Sequence, residues 1–317
     1  MIDRRWSGTG LALAGSTLHR VFGRDARARM PFEDLAEAAT LAEQTGYDSL
    51  WIPDHGIWDP FGLLAALSQR CHRIRLATGV VTITSRPAKA MSAAASTLAD
   101  VSGGRAILGV GSGSETRLAR VIEYLNELNG SPEEERVPVY LAALGPRMVE
   151  LAGMVPTDGL LLNWCTPARV RRAKEELARH GPVMLVEGHP TPPPSLAVYV
   201  RACLGHDEAH ALEALRPMVA MYASIPAYRR QLEADGLGEP AAAAADARAR
   251  GNDREIPEAL VDALCIRGGR DEALARLDEY RAAGADLVVV YPVTAQDPAS
   301  SLMGTIMAAA PDPSVEA

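Results

Sequence analysis

Short apolar runs recur along the chain, and a stretch with helical periodicity follows each one. The runs are marked by Leu11, Leu50, Leu76, Leu108, Val139, Leu161, Val198 and Val289. Strand and helix alternate at intervals of about 25–30 residues, the pattern of βαβ units around a parallel sheet. Eight such units within a chain of 317 residues predict a (β/α)8 TIM barrel. A doubly wound open sheet is the alternative.

The predicted strands are Gly10–Ala14, Tyr47–Ile52, Ile74–Thr78, Ala106–Val110, Pro138–Ala142, Gly159–Leu162, Leu196–Cys203 and Leu287–Tyr291. Helices are predicted over Pro31–Thr45, Pro60–Arg70, Pro87–Val101, Glu115–Asn129, Pro146–Met154, Pro167–His180, Pro257–Leu264 and Arg270–Ala283. A helical region runs from Asp207 to about Asp235, and the tail Ala299–Ala309 can close with a helix. The basic run Arg20–Arg29 reads as a loop, the Pro-rich stretch His189–Pro194 precedes the strand Leu196–Cys203, and Gly236–Asn252 reads as a loop or weak helix. No linker divides the chain, so residues 1–317 read as one domain.

Composition narrows the function. The net charge of −8 argues against a general nucleic-acid or anionic-membrane binder. No segment approaches the roughly 20 apolar residues of a membrane span. Met1–Gly10 is polar and the run Leu11–Ala14 is too short for a leader. Cys71, Cys165, Cys203 and Cys265 are too far apart in sequence for a metal or redox pair. Buried reduced thiols and a cytoplasmic setting are expected.

Chemistry enters at Gly46–His55, GYDSLWIPDH. Gly46 ends the preceding helix, Tyr47–Ile52 reads as a buried strand, and Asp54 and His55 follow Pro53 at its carboxyl end. In α/β folds ligands bind there. An acid beside an imidazole can move a proton near neutral pH. The other reading makes Asp54 a helix cap and His55 a solvated loop residue.

Two glycine-bearing turns end later strands. Gly109-Val110-Gly111-Ser112-Gly113 is either a tight strand-to-helix turn or a close backbone approach to a ring or phosphate. Three strands precede it and no suitable acid follows, so it is not a dinucleotide fingerprint. Ala142-Ala143-Leu144-Gly145-Pro146-Arg147 opens a helix with glycine and proline, an arrangement that exposes backbone N–H groups to an anion. An ordinary helix start with a surface Arg147 is the plainer alternative.

Together, residues 46–55, 73–113, 137–153, 158–164 and 283–292 resemble the luciferase-like monooxygenase superfamily, in its coenzyme F420-dependent oxidoreductase branch, which includes methylenetetrahydromethanopterin reductase-like enzymes. The resemblance implies a luciferase-like TIM barrel that binds a deazaflavin at the carboxyl ends of its strands. It implies that Asp54 contacts the ring and that His55 is the acid/base. It also implies a bulge with a non-proline cis peptide at Gly79–Val80, with Thr82 nearby, backing the ring. Gly111 and Gly113 would pass along the cofactor, and Gly145 and Pro146 would hold its phosphate. Asn163 and Trp164 would touch the cofactor tail or the substrate. Trp58 would wall the substrate pocket or pack in the loop, while Trp51 reads as core.

The chain departs from that family in two places. Between Gly113 and Val137 only about one helix fits, so the lid insertion after the fourth strand is shortened. Gly79 stands where several relatives carry a small polar residue. The implied function is hydride transfer between coenzyme F420 and a small organic substrate, at a C=C, C=N or alcohol/carbonyl centre, in a homodimer. An FMN-dependent monooxygenase and a non-catalytic barrel serving as a binding or assembly partner are the alternatives. The seven histidines suggest no metal ligand set: only His206 and His210 lie four apart, at a predicted surface helix start.

Overall fold

A computed structural model describes residues 6–14, 16–21, 24–128, 136–155, 157–179, 193–295 and 297–311, without the side chains of 16–28. In chain order the first half runs β1 (Gly8–Ala12), β2 (Ser16–Val21), β3 (Arg24–Arg29), α1 (Phe32–Gln44), β4 (Ser49–Ile52), α2 (Pro60–Leu67), β5 (Arg75–Thr78), β6 (Val81–Thr82), α3 (Ala88–Ser102), β7 (Ala106–Gly111) and α4 (Leu118–Leu128). The second half runs β8 (Val139–Ala143), α5 (Pro146–Met154), β9 (Gly159–Asn163), α6 (Pro167–Arg179), β10 (Ser195–Leu204), α7 (Glu208–Ala223), α8 (Pro226–Ala234), α9 (Gly238–Ala249), α10 (Glu258–Leu264), β11 (Cys265–Gly268), α11 (Arg270–Ala282), β12 (Leu287–Pro292) and α12 (Pro298–Ala308).

The strands β1, β4, β5, β7, β8, β9, β10 and β12 pair in parallel and close into a ring through β9–β10. This is the TIM barrel expected from the sequence. Alternate residues point inward, as the two-residue strand period requires. Ala12, Trp51, Ala77, Ile107, Tyr140, Leu161, Ala197, Tyr199, Val289 and Tyr291 fill the interior. The out-of-phase set, including Leu11, Leu50, Leu76, Leu108, Leu141, Leu160 and Val198, meets the surrounding helices. Burial on both faces explains why these strands read as continuous apolar runs.

Two expectations need correction, and one open alternative resolves as a helix. Arg20–Arg29 is not simply a loop, because β2 and β3 form an antiparallel ribbon between β1 and α1. Its charges break the apolar alternation by which a strand announces itself. Gly236–Asn252 holds the helix α9, whose Ala241, Ala244 and Ala247 are fully buried, so small side chains let it pack closely on α7 and α8. Cys265–Gly268 is an additional strand, β11. It is possible because β10 is ten residues long: its first half pairs with β9 and its last four residues with β11. The helices α7–α10 form a second apolar cluster that meets the barrel at Trp164, Cys203, Cys265 and Val293. All four cysteines are buried, and burial pushes the thiols up, Cys71 and Cys203 to about 11 and Cys165 and Cys265 to about 12. Among the described residues no helix is long and apolar enough to cross a membrane.

One carboxylate fixes where β5 begins. Glu43, near the end of α1, accepts the backbone N–H groups of His72 at 2.9 Å and Ile74 at 2.7 Å, and that of Arg73 as well. Burial pushes its pKa up, but the backbone donors outweigh that and the net shift is downward from 4.5. A folded value below the unfolded one means stabilisation above about pH 4.5 that is lost as pH falls through the lowered value. Glu43→Gln is expected to cost about 1 kcal/mol at neutral pH, the low end because the group is partly exposed. Urea unfolding at pH 7 and in acid checks this. The gap between variant and wild type should close in acid, and a gap of constant size would refute the assignment.

Candidate active site

The carboxyl ends of the barrel strands form a mouth with an aromatic floor. Tyr199 of β10 packs edge-on against Trp51 of β4, with ring centroids 6.0 Å apart, and against Tyr291 of β12 at 5.9 Å. In the ring of eight strands, β10 and β5 are diametrically opposed. Tyr199 reaches across this width, and its hydroxyl donates to the Gly79 carbonyl at 3.0 Å. Burial holds the Tyr199 pKa well above its usual value, so the phenol keeps its proton and its donor role.

The wall at Gly79 is built by a bulge. Ala77 pairs with Ile107 and Val81 with Val110, so four steps on one strand answer three on the other. The Thr78 hydroxyl bridges the interruption, accepting from the Gly109 N–H at 2.9 Å and donating to the Gly109 carbonyl at 2.8 Å. The Gly79–Val80 peptide is cis. Glycine is required at 79 because a Cβ there would lie 1.7 Å from the Tyr199 hydroxyl.

The glycine turn after β7 packs against this wall. A Cβ on Gly111 would lie 2.9 Å from Val80 Cγ2, and one on Gly113 2.8 Å from Thr82 Cβ. Their bareness therefore seats Val80 and Thr82, and Gly113 also takes a positive φ of 59° that favours glycine. Gly145 differs: nothing lies within 4 Å of where its Cβ would be. It caps α5 with no side-chain hydrogen bond, and Pro146 occupies the first turn. The exposed helix start is thus open to an anion.

Asp54 and His55 leave β4 at the same mouth, and both are half-buried. Asp54 Oδ1 accepts the Gly56 N–H at 3.1 Å. Trp58 is half-buried against the outer core, with the Arg29 guanidinium 3.3 Å above its ring.

On the opposite side, sequence reasoning named Asn163 and Trp164 but missed what holds them. Asn163 Nδ2 donates to the Tyr228 hydroxyl at 3.0 Å, and its Oδ1 accepts from Arg201. Trp164 is buried, at positive φ (53°), and packs against Tyr222 with ring centroids 4.6 Å apart and planes tilted by 34°. Gln231 of α8 steadies that backbone, donating to the carbonyls of Asn163 at 3.1 Å and Trp164 at 2.6 Å. Arg201 of β10 is only 3% exposed. Its signal was available: it lies two residues beyond Tyr199, in phase with the barrel interior, inside an otherwise apolar strand. Among the described residues no cluster of three His, Cys, Asp or Glu could hold a metal ion.

The sequence profile of the luciferase-like monooxygenase family matches residues 12–122 and 120–287. The two stretches meet inside α4, in the connection read as shortened. A 5,10-methylenetetrahydromethanopterin reductase of Methanolobus tindarius is 30% identical over 300 residues, spanning 82% of this chain and 90% of that protein. Among solved structures, a coenzyme F420-dependent tetrahydromethanopterin reductase from Methanopyrus kandleri matches with a TM-score of 0.73 at 20% identity, over 96% of this chain and 98% of that one. An F420-dependent secondary alcohol dehydrogenase in complex with an F420–acetone adduct matches at 0.67 and 16% identity, over 96% and 99%.

Proposed function

Because the chain belongs to the luciferase-like monooxygenase family, we propose that it is an oxidoreductase that uses coenzyme F420 to move a hydride to or from a small organic substrate. The observation that carries this reading is the gathering of three features at one barrel mouth: the Gly79–Val80 wall, the Asp54–His55 pair and the open helix start at Gly145. That set suits a planar ring with an anionic tail. The F420-dependent names of the relatives support the choice of cofactor.

The bound deazaflavin would supply a carbon centre that accepts or donates hydride and does not activate oxygen. The chain's own residues supply position and protons. Gly145 and the first turn of α5 would bind the phosphate through backbone N–H groups, with the helix dipole adding to the attraction. Val80, Thr82, Gly111 and Gly113 would shape the wall on which the ring rests. Asp54 would orient the ring or His55, and His55 would hold and move the proton that accompanies hydride transfer. Tyr199 and Trp51 close the floor and keep water from below. The reading includes a homodimer in the cytoplasm, and sedimentation tests the former.

Fluorescence titration of the purified chain with oxidised coenzyme F420 and, separately, FMN tests the proposal. Saturable binding of the deazaflavin alone is expected. Binding of FMN alone would move the reading to an oxygen-using enzyme, and binding of neither would make the barrel a partner-binding protein.

A further inference from the structure

Arg201 is a buried cation with no carboxylate within ion-pair distance among the described residues, at 3% exposure. Its guanidinium carbon lies 4.3 Å from the Tyr291 ring centroid, 4.5 Å from Trp164, 5.5 Å from Tyr222 and 5.7 Å from Tyr199. Ring faces attract a cation but do not satisfy its N–H groups. Among the described residues its one hydrogen-bond partner is the neutral Asn163 amide oxygen. Arg201 Nε is buried without an acceptor, and so is the indole Nε1 of the adjoining Trp164. Two unsatisfied buried donors beside an uncompensated charge are unfavourable for a merely structural arrangement.

The position gives the charge a use. Arg201 stands one inward step above Tyr199, on the strand opposite the Gly79–Val80 wall. A substrate between that wall and β10 would meet the guanidinium. We propose that Arg201 is the substrate-recognition residue of this mouth and selects molecules bearing a carboxylate or phosphate oxyanion. The anion takes the guanidinium edge that now has no acceptor, while Asn163 and the aromatic rings hold the plane of the fork. This names a substrate class for the oxidoreductase reading above and rests on it.

The test uses the full chain saturated with coenzyme F420, so that the helix start at Gly145 is filled. Melting temperature is followed against inorganic phosphate and against benzoate, at constant ionic strength with chloride as control. A saturable rise with at least one probe is expected, and which probe acts separates phosphate from carboxylate selection. Arg201→Gln should move the midpoint at least about tenfold higher, since charge-assisted bonds are lost. Arg201→Lys keeps the charge but loses the fork and should fall between them, which keeps the test decisive if the glutamine variant does not fold. Cofactor affinity, read by deazaflavin fluorescence on the same proteins, should be unchanged. No saturable effect of either probe on the wild type would overturn the proposal, as would equal response in all three proteins. If the wild type binds no coenzyme F420 yet its phosphate or benzoate response depends on Arg201, the cofactor reading fails and the anion site stands.

Discussion

Gly79→Ala is expected to be the most damaging small substitution at the mouth. The added methyl would lie 1.7 Å from the Tyr199 hydroxyl, 3.0 Å from its Cζ and 3.2 Å from Trp51 Cε3. Tyr199 cannot swing aside, because Trp51, Tyr291 and Arg201 pack around it. Either the wall or the floor must shift, and the hydrogen bond between them breaks. The cost should be about 3 kcal/mol from overpacking plus a lost buried hydrogen bond. At about 2.1 cal/mol/K of unfolding entropy per residue, a chain of 317 residues would lose roughly 4–5 °C in Tm. Affinity for coenzyme F420 should fall with it. Tyr199→Phe removes the offending oxygen, so the double variant should be more stable than Gly79→Ala alone. Additive losses in that double-mutant cycle would mean that the contact does not limit the site.

The second large effect is kinetic. His55→Ala should lower kcat by about 10²–10⁴-fold, the usual contribution of a positioned acid or base, with cofactor affinity changed by less than about twofold. The readout is oxidation or reduction of the deazaflavin with a substrate found by screening. The pH profile of kcat should lose the limb due to the imidazole. Full turnover by the alanine variant would remove His55 from the mechanism and leave Asp54 as the nearest ionisable group on that strand end.

Most of the architecture was legible because burial on both faces leaves a mark. The eight barrel strands are apolar runs, and the helices between them carry the 3.6-residue pattern. What escaped had no such mark. The ribbon β2–β3 is charged, β11 is four residues long and follows a helix directly, and α9 packs through alanines whose composition left loop and weak helix both open. At the mouth, the position of Asp54 and His55 was legible, since Pro53 stops the apolar run and they follow it directly. Arg201 carried a signal, being in phase with Tyr199, but all ten residues of β10 are buried and the run around it read simply as core. Tyr199 was illegible for a different reason. Its partner is 120 positions away, and only closure of the barrel brings the two together.

The phenol that spans the mouth ties the evolution of two distant positions. A barrel in which position 79 carries a side chain has no room for a tyrosine at 199, and one that keeps the tyrosine must keep the glycine. Among relatives, then, a serine or threonine at the first position should be accompanied by a shorter residue at the second, the volume being traded across the barrel rather than along the strand. Such paired exchange also predicts how binding specificity can drift: the ring-facing wall can gain a polar group only in a lineage that first gives up its floor.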